Sequence, residues 1–301
     1  MNNFVLGSGI TGCIARAISG YTIIPFKRSR YYGSDVPLAE NHIPFSDDIE
    51  AFMSEYSKAG PIYKEVVSCD GVLSADDIIK EIYLKKVFGE HPVYAKEFLC
   101  KTSMAYQMTV LQLHDKLQDK FINEINSSIK LVGDVVSIDL SSKRIKFKSG
   151  QVTEFDKIIS TIPLDALAKL CNIDLVMKAK TICYYHIVTK SINLEGADTC
   201  LVADEEIEFF KVIRLPTKDE YLFWTNDGLE NPYKYFGNYL THNIDIMGAY
   251  RILDAIPLGT VDLSIFENAG IDCIGSNAQW DPFIDVGSSI KRLLRLCGTS
   301  R

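Results

Sequence analysis

The chain has 301 residues, of which 47% are hydrophobic and 24% charged, and its formal net charge at pH 7 is −7. This length and composition predict one large core or two smaller ones and exclude a disordered or low-complexity protein. The negative charge argues against nucleic acid as a stable partner. No apolar run reaches the length of a membrane span, and the first residues enter a strand without room for a signal peptide, so we expect a cytoplasmic protein with no membrane partner.

The eight cysteines are spaced singly, without a Cys-x-x-Cys pair. This spacing predicts neither a zinc site nor a disulfide framework, and the histidines show no metal-ligand spacing either. We therefore expect no bound metal and reduced thiols that fill apolar space in the interior.

The first predicted element is the apolar segment 4–6, which runs directly into Gly7-Ser8-Gly9-Ile10-Thr11-Gly12. We predict a strand, a glycine turn and the start of a helix here, with a second strand at 21–24. In such a unit the first glycine permits the turn, the second permits close approach of a pyrophosphate, and the third permits close packing of helix on strand. The free amides of the helix N-terminus favour phosphate. The motif therefore predicts a dinucleotide site.

The position after the second strand departs from the usual dinucleotide pattern. An acidic residue that binds the ribose hydroxyls is expected there, but the chain has Pro25-Phe26-Lys27-Arg28. Lys27 and Arg28 either contact a phosphate or face solvent. As a 2′-phosphate site, they would also suit an NADP-dependent enzyme.

Helical patterns dominate the next part of the chain, and strand patterns follow them. The predicted helices span 49–56, 78–87, 104–121 and 164–170. The predicted strands span 129–131, 135–138, 144–147 and 157–163. The last of these strands is almost wholly apolar, as in a buried parallel sheet, so we expect it to return to the first sheet.

The C-terminal half predicts an antiparallel sheet followed by helices. The predicted strands span 181–189, 199–203, 208–214, 221–225 and 271–274, and the predicted helices span 231–252 and 288–296.

Four segments, in the same order along the chain, resemble the flavin amine oxidase superfamily, which also contains protoporphyrinogen oxidases and UDP-galactopyranose mutases. They are the opening glycine turn, Asn41-His42-Ile43, the pair 135–138 and 158–164, and the pair 255–257 and 274–280. The resemblance implies an α/β fold with a Rossmann-like FAD-binding domain, an inserted helical segment and an antiparallel-sheet substrate domain.

These domains follow from the order of the segments. We assign residues 1–60, 125–175 and 265–301 to the discontinuous FAD-binding domain. Residues 61–124 form the helical insertion, and residues 176–264 form the substrate domain.

The resemblance also implies which residues hold FAD. It places the pyrophosphate on the first helix, adenine against the backbone of Val135, and the ribityl chain and flavin beside Gly275 and the N-terminus of the last helix. Ser276 is a departure, because flavoproteins often have a charged residue there. The expected cofactor-binding residues are Gly7, Ser8, Gly9, Ile10, Thr11, Gly12, Lys27, Arg28, Val135, Thr161, Pro163, Gly275, Ser276, Ser288 and Ser289.

Three side chains are candidates for the reaction itself. His42 lies near the flavin by the family resemblance, and its alternative is a structural loop histidine. Arg214 is a guanidinium at the end of a largely apolar strand, where it suits a carboxylate or phosphate of a substrate or simply lies on a sheet surface. Trp280 is a candidate wall of an aromatic substrate pocket, as are several sheet aromatics, and core packing is the alternative.

We expect an FAD-dependent oxidoreductase of amine-oxidase type, which removes a hydride from a C–N bond of an amine or amino-acid group. His42 and Arg214 leave open a flavin-dependent isomerase, similar to UDP-galactopyranose mutase, that acts on a sugar nucleotide. The departure at Lys27 leaves open a nucleotide-binding module without catalysis. The sequence determines neither the substrate, small molecule or amine-bearing macromolecule, nor the electron acceptor, nor the oligomeric state.

Overall fold

The structure is a computed structural model that describes residues 2–26, 43–69, 72–74, 76–89, 99–100, 102–132, 134–190, 192, 194, 196–215, 219–240 and 243–298. The elements in chain order are β1 (Asn3–Leu6), α1 (Ile10–Ser19), β2 (Thr22–Ile24), α2 (Asp47–Met53), β3 (Ala59–Cys69), β4 (Val72–Ser74), α3 (Asp77–Phe88), β5 (Thr102–Tyr106), α4 (Val110–Val132), β6 (Val135–Asp139), β7 (Arg144–Phe147), β8 (Val152–Glu154), β9 (Lys157–Ser160), α5 (Leu164–Leu170), β10 (Lys178–Val188), β11 (Thr199–Val202), β12 (Phe209–Arg214), β13 (Glu220–Thr225), α6 (Pro232–Tyr239), β14 (Asp245–Leu258), α7 (Ser264–Asn268), β15 (Ile271–Cys273), α8 (Ser276–Gln279) and α9 (Val286–Leu296).

Four short parallel strands form the first sheet, in the order β15-β9-β1-β2. In β1, Val5 pairs with Ile23 of β2 on one side and with Ile159 of β9 on the other. The predicted return of the apolar segment to the first sheet is therefore confirmed. Both faces of the sheet are covered, because Val5 packs in the cluster under α1 and Leu6 in the cluster on the opposite face. Burial on both sides explains why consecutive residues of β1, β2 and β9 are apolar, without the alternation of a half-exposed strand.

The helix α1 follows β1 after a turn of three residues and packs against α4 and α9. Its buried face consists of Gly12 to Ala15. The helix ends at Gly20, which adopts the left-handed conformation with φ of 73° and donates its N–H to Arg16 O. A glycine at this position ends the helix without steric cost.

The edge strand β2 is covered by α4 rather than by another strand. Glu124 of α4 accepts a hydrogen bond from the Ile23 amide at 3.0 Å, and its two carboxylate oxygens share the single N–H of Arg16 Nε at 3.0 and 2.9 Å. The Arg16 guanidinium also lies 5.2 Å from the centre of the Phe121 ring. One carboxylate thus joins α1, β2 and α4.

The larger sheet has the order β14-β10-β13-β12-β11-β3-β4, and β5 pairs with β3. Tyr184 and its neighbours pack under α3 on one face, whereas Tyr185 packs with Phe236 of α6 on the other. A third sheet, β6-β7-β8, contributes Val135 to the core below the parallel sheet. The fold class expected from the sequence, α/β with a Rossmann-like part and an antiparallel sheet, is confirmed.

The prediction of one helix over 231–252 is wrong. The helix α6 ends at Tyr239, and the strand β14 begins at Asp245 and pairs with β10 along its length. Aromatic residues at helical spacing dominate this part of the sequence, but the pairing with β10 decides its structure.

The content expected for residues 61–124 also differs. This segment contains α3 and most of α4, but β3 and β4 belong to the larger sheet, and β5 pairs with β3. The helix predicted from residue 104 begins at Val110 and continues to Val132, through the strand predicted at 129–131. The division of the chain into domains stays a prediction.

Among the described residues, no helix combines the length and hydropathy needed to cross a bilayer, and no group of three or more His, Cys, Asp or Glu side chains is arranged to hold a metal. All eight cysteines are free thiols. Burial raises the pKa of Cys13 to about 12 and that of Cys273 to about 12 as well, so these thiols stay protonated at neutral pH.

We expect Glu124→Ala to lower the free energy of unfolding by about 1–3 kcal/mol, because the Ile23 amide and the Arg16 guanidinium lose a charged acceptor. Urea denaturation measures the change. The matched control is Glu154→Ala, whose partner Arg144 is 55% exposed, and it should change stability by less than about 0.5 kcal/mol. Equal effects of the two substitutions would contradict the role of Glu124.

We expect stability to depend on His114 at acidic pH. Its Nε2 atom is buried without a partner among the described residues, and burial lowers its pKa below 6.5. As the pH falls, His114 therefore takes up a proton in the unfolded chain before it does so in the folded chain. The stability that depends on neutral His114 is complete above pH 6.5 and is lost as the pH falls below it. His114→Gln should flatten the fall in urea midpoint between pH 7 and about pH 5. An unchanged slope contradicts the assignment.

Candidate functional site

The carboxyl ends of all four parallel strands meet at one edge of the first sheet. The chain passes from β1 to β2 on one side and later adds β9 on the other side of β1. Such a reversal of strand order leaves a crevice beyond the strand ends, where open α/β sheets bind ligands. Gly7 follows β1 and Thr161 follows β9, so the predicted glycine turn lies at this point.

Two glycines of the turn are required by packing. Gly7 has φ of +112°, and a Cβ atom there would lie 2.5 Å from Thr161 Oγ1. A Cβ atom on Gly12 would lie 2.1 Å from the carbonyl oxygen of Gly7. Any side chain at either position would collide with its surroundings, so the helix can lie this close to the strand only with glycine at both.

Gly9 is different, because its surroundings do not require glycine. It is exposed, its φ is −70°, and no described atom lies within 4 Å of a Cβ atom built on it. It is the N-cap of α1, where no side chain accepts a hydrogen bond and the first turn holds no acidic residue. Among the described residues, the helix N-terminus therefore presents amides without a side-chain cap and a partial positive charge to unfilled space, which is a suitable arrangement for an anion.

The C-terminal segment reaches the same place. Gly275 has φ of +102°, and a Cβ atom there would lie 3.3 Å from Thr11 Oγ1 in the first turn of α1. Its amide donates to Gln279 Oε1 at 3.1 Å, which holds the turn before α8. The half-buried Ser276 begins this short helix. The structure thus brings together the glycine turn, Thr161 and Gly275, as the sequence predicts.

Other predicted cofactor residues serve the protein interior. Ser8 O is contacted by Cys13 Sγ at 3.5 Å, and Ile10 packs against the core under α1. The carbonyl of Pro163, the N-cap of α5, accepts the amides of Ala166 and Leu167. These contacts engage the three residues within the protein itself.

The N-terminus of α9 is occupied by its own acidic residue. Asp285 Oδ1 accepts the Ser288 amide at 2.6 Å, and the buried Ser289 donates its hydroxyl to Asp285 O at 3.0 Å. This helix therefore does not offer the Ser288 amide to a ligand, although the sequence predicts a cofactor contact there.

The three predicted catalytic residues are not brought together by the described part of the chain. Arg214 forms an ion pair with Asp198 at 3.3 Å and lies opposite Tyr221, on the sheet face that packs with α6. Trp280 is 4% exposed, and its Nε1 donates to Leu258 O at 3.3 Å. His42, like Lys27 and Arg28, lies outside the described residues.

The sheet aromatics that the sequence offers as pocket walls lie in the core. Tyr184 stacks on Tyr250 and Trp224, with ring centres 5.0 and 6.0 Å apart. Tyr184 is 1% exposed and Phe210 likewise 1%, so packing explains both.

Sequence reasoning missed two polar residues. Glu124 lies 108 residues from Arg16 in the sequence, so no local pattern predicts their hydrogen bond. Lys86 is the second, because its Nζ donates to the carbonyls of Val202, Asp204 and Phe209. Burial lowers the pKa of Lys86 to about 8. Both residues join distant elements of the chain.

No protein-family model matches the sequence, and no curated protein matches it. Solved structures do match the fold. A reduced UDP-galactopyranose mutase is 11% identical with a TM-score of 0.62, and the match covers 99% of this chain and 94% of the mutase. A putrescine oxidase redesigned in its cofactor binding is 10% identical with a TM-score of 0.60, over 99% and 98% of the two chains.

A third match is a flavin-dependent monooxygenase in complex with FAD and substrate, 13% identical with a TM-score of 0.55. It covers 98% of this chain and 56% of the monooxygenase. The chain therefore shares its fold with these three proteins. The fold that the sequence resemblance implies is confirmed by these matches.

We expect Trp280→Phe to act on stability and not on ligand binding. The substitution removes the hydrogen bond to Leu258 O and should lower the free energy of unfolding by about 1 kcal/mol. Affinity for FAD, the cofactor that the resemblance implies, should stay within about twofold of the wild type. Urea denaturation and flavin titration measure the two effects. Lost affinity at unchanged stability would instead place Trp280 in the ligand site.

Proposed function

We propose that the chain binds FAD in the crevice between β1 and β9 and acts as an FAD-dependent oxidoreductase. The observation that carries the proposal is the open N-terminus of α1 at Gly9, with Thr161 and Gly275 both close to the turn and the first turn of the helix. The fold shared with flavin-dependent enzymes supports it.

The first turn of α1 has the features that a diphosphate site needs. A diphosphate needs hydrogen-bond donors, a favourable potential and room for its oxygens. The first turn of α1 supplies amides without an acidic residue, and the space above Gly9 is open among the described residues. FAD carries a diphosphate at its centre, so these residues would hold it there.

For the ribose of FAD, the described residues at the end of β2 offer no acidic side chain that is free to bind its hydroxyl groups. Lys27 and Arg28 lie outside the described residues. The carboxylate that does reach β2, Glu124, is already engaged with Arg16 and the Ile23 amide. It therefore does not replace the acidic residue that binds ribose in other dinucleotide sites.

When bound, FAD supplies the group that accepts a hydride, and the protein supplies position and electrostatics. The amides of α1 would neutralise the diphosphate. Gly275 lies directly against Thr11 and would border the cofactor on the side of α8.

We further propose the amine-oxidase type of reaction, in which the carbon that bears the nitrogen of an amine or amino-acid group would lose a hydride to FAD, so that its C–H bond breaks and the C–N bond becomes a C=N bond. The fold shared with a putrescine oxidase and the sequence resemblance support this choice. The second candidate is a sugar-nucleotide isomerase, favoured by the fold shared with UDP-galactopyranose mutase. The isomerase would need a cation such as Arg214 to bind the diphosphate of its substrate. The ion pair of Arg214 with Asp198 weakens this candidate, because the guanidinium is already engaged.

The test is a titration of the purified protein with FAD, using Gly9→Ala as the matched variant. Its backbone φ of −70° accepts alanine, and the added Cβ meets no described atom, so the fold should be unchanged. The added methyl should reduce FAD affinity by about tenfold, or ~1.4 kcal/mol, because it fills the space for the diphosphate. Visible absorbance measures binding, and thermal denaturation checks the fold.

The outcomes separate the candidates. A protein that leaves the FAD spectrum unchanged, or Gly9→Ala with wild-type affinity, contradicts the proposed site. Flavin bleaching by amines without oxygen supports the amine-oxidase type. Turnover of UDP-galactopyranose only after reduction with dithionite supports the isomerase. Tight FAD binding with neither reaction supports a nucleotide-binding module.

A further inference from the structure

The residue that follows β9 determines the shape of the glycine turn. We propose that Thr161 is a positioning residue, whose hydroxyl holds the Leu6–Gly7 backbone so that the amides of α1 face the diphosphate. The inference rests on the proposed function, because the diphosphate is that of the proposed FAD. It differs from the role implied by the resemblance, in which Thr161 lies beside the nucleotide.

Thr161 makes two hydrogen bonds to one carbonyl. Its amide donates to Leu6 O at 2.9 Å and its Oγ1 donates to the same oxygen at 3.0 Å. Leu6 is the last residue of β1 and pairs with Ser160, so these bonds extend the pairing of β1 and β9 by one residue. The hydroxyl has a single proton, which is used here. Thr161 therefore has no hydroxyl donor left for a phosphate.

The Thr161 oxygen also lies directly against the turn. It is 2.5 Å from a Cβ atom built on Gly7 and 3.0 Å from one built on Gly12. The hydroxyl thus occupies the space that two missing side chains leave between strand, turn and helix. On the opposite side, the Gly7 amide donates to Ile24 O at 2.9 Å. The turn is held from both neighbouring strands.

The chemistry of this contact predicts which substitutions matter. Valine has the shape of threonine, but its methyl group is larger than a hydroxyl and donates no hydrogen bond, so it would press on Gly7 and release Leu6 O. Serine keeps the hydroxyl and loses only the methyl. A displaced Gly7 would shift the start of α1, and with it the amides that face the diphosphate.

Ser160 provides a matched control. It precedes Thr161, is 0% exposed, and its hydroxyl has no partner among the described residues. Removal of an unpaired buried hydroxyl should not weaken the protein. Ser160→Ala therefore deletes a neighbouring hydroxyl without touching the turn.

The experiment measures the affinities of wild type, Thr161→Val, Thr161→Ser and Ser160→Ala for FAD and for ADP, with melting temperatures alongside. ADP carries the diphosphate without the flavin. We expect Thr161→Val to weaken both ligands by a similar factor, about three- to tenfold, as for one lost hydrogen bond. Thr161→Ser and Ser160→Ala should bind both ligands within about twofold of the wild type. If Thr161→Val does not fold, Thr161→Ala takes its place.

Three results overturn the inference while the proposed function stands. They are unchanged affinities in Thr161→Val, a loss confined to FAD, and a loss in Thr161→Ser as large as that in Thr161→Val. A wild type that binds ADP but not FAD ends the proposed function, and the ADP affinities then still decide the role of Thr161. A wild type that binds neither ligand overturns both.

Discussion

The close approach of α1 to β1 is the constraint on which the rest of the site depends. Gly12 lies so near the Gly7 carbonyl that a Cβ atom would stand 2.1 Å from its oxygen. With the helix on the sheet at this distance, Thr161 and Gly275 can both reach its first turn. A larger residue at Gly12 would lift the helix and separate these contacts. The site is therefore a consequence of backbone packing, and few side chains are needed to form it.

The edge strand β2 of the first sheet is protected by a helix. A parallel strand at an edge leaves unpaired amides, and proteins cover them or pair them. In this chain, α4 covers β2, and Glu124 replaces the missing neighbour strand for the Ile23 amide. The same carboxylate binds Arg16 in the last turn of α1, where a cation is also favoured by the helix dipole. The helix that carries the site is thus tied to the edge strand.

The sequence predicts the parts of the fold that depend on local patterns. The unit of β1, the turn and α1 is visible because glycine spacing and apolar runs lie within twenty residues, and the apolar β9 is visible for the same reason. The strand β3 cannot be predicted from local patterns, because its partner β11 is distant in the sequence: Glu65 lies opposite Thr199. The strand β14 is predicted wrongly as part of a helix, because the aromatic residues of this segment also suit a helix. Pairing between distant segments outweighs local preference in both cases.

The same distinction separates the two helix N-termini that the sequence offers for a cofactor. Both α1 and α9 begin after a loop, and the sequence predicts both as helices, so local patterns do not distinguish their N-termini. Their electrostatics differ, because Asp285 caps α9 with a carboxylate and places negative charge where a phosphate would bind. The first turn of α1 has no acidic residue, and its N-cap is the exposed Gly9. A diphosphate would therefore be attracted to the N-terminus of α1 and repelled from that of α9, so of these two helix ends the first is the one that suits an anion.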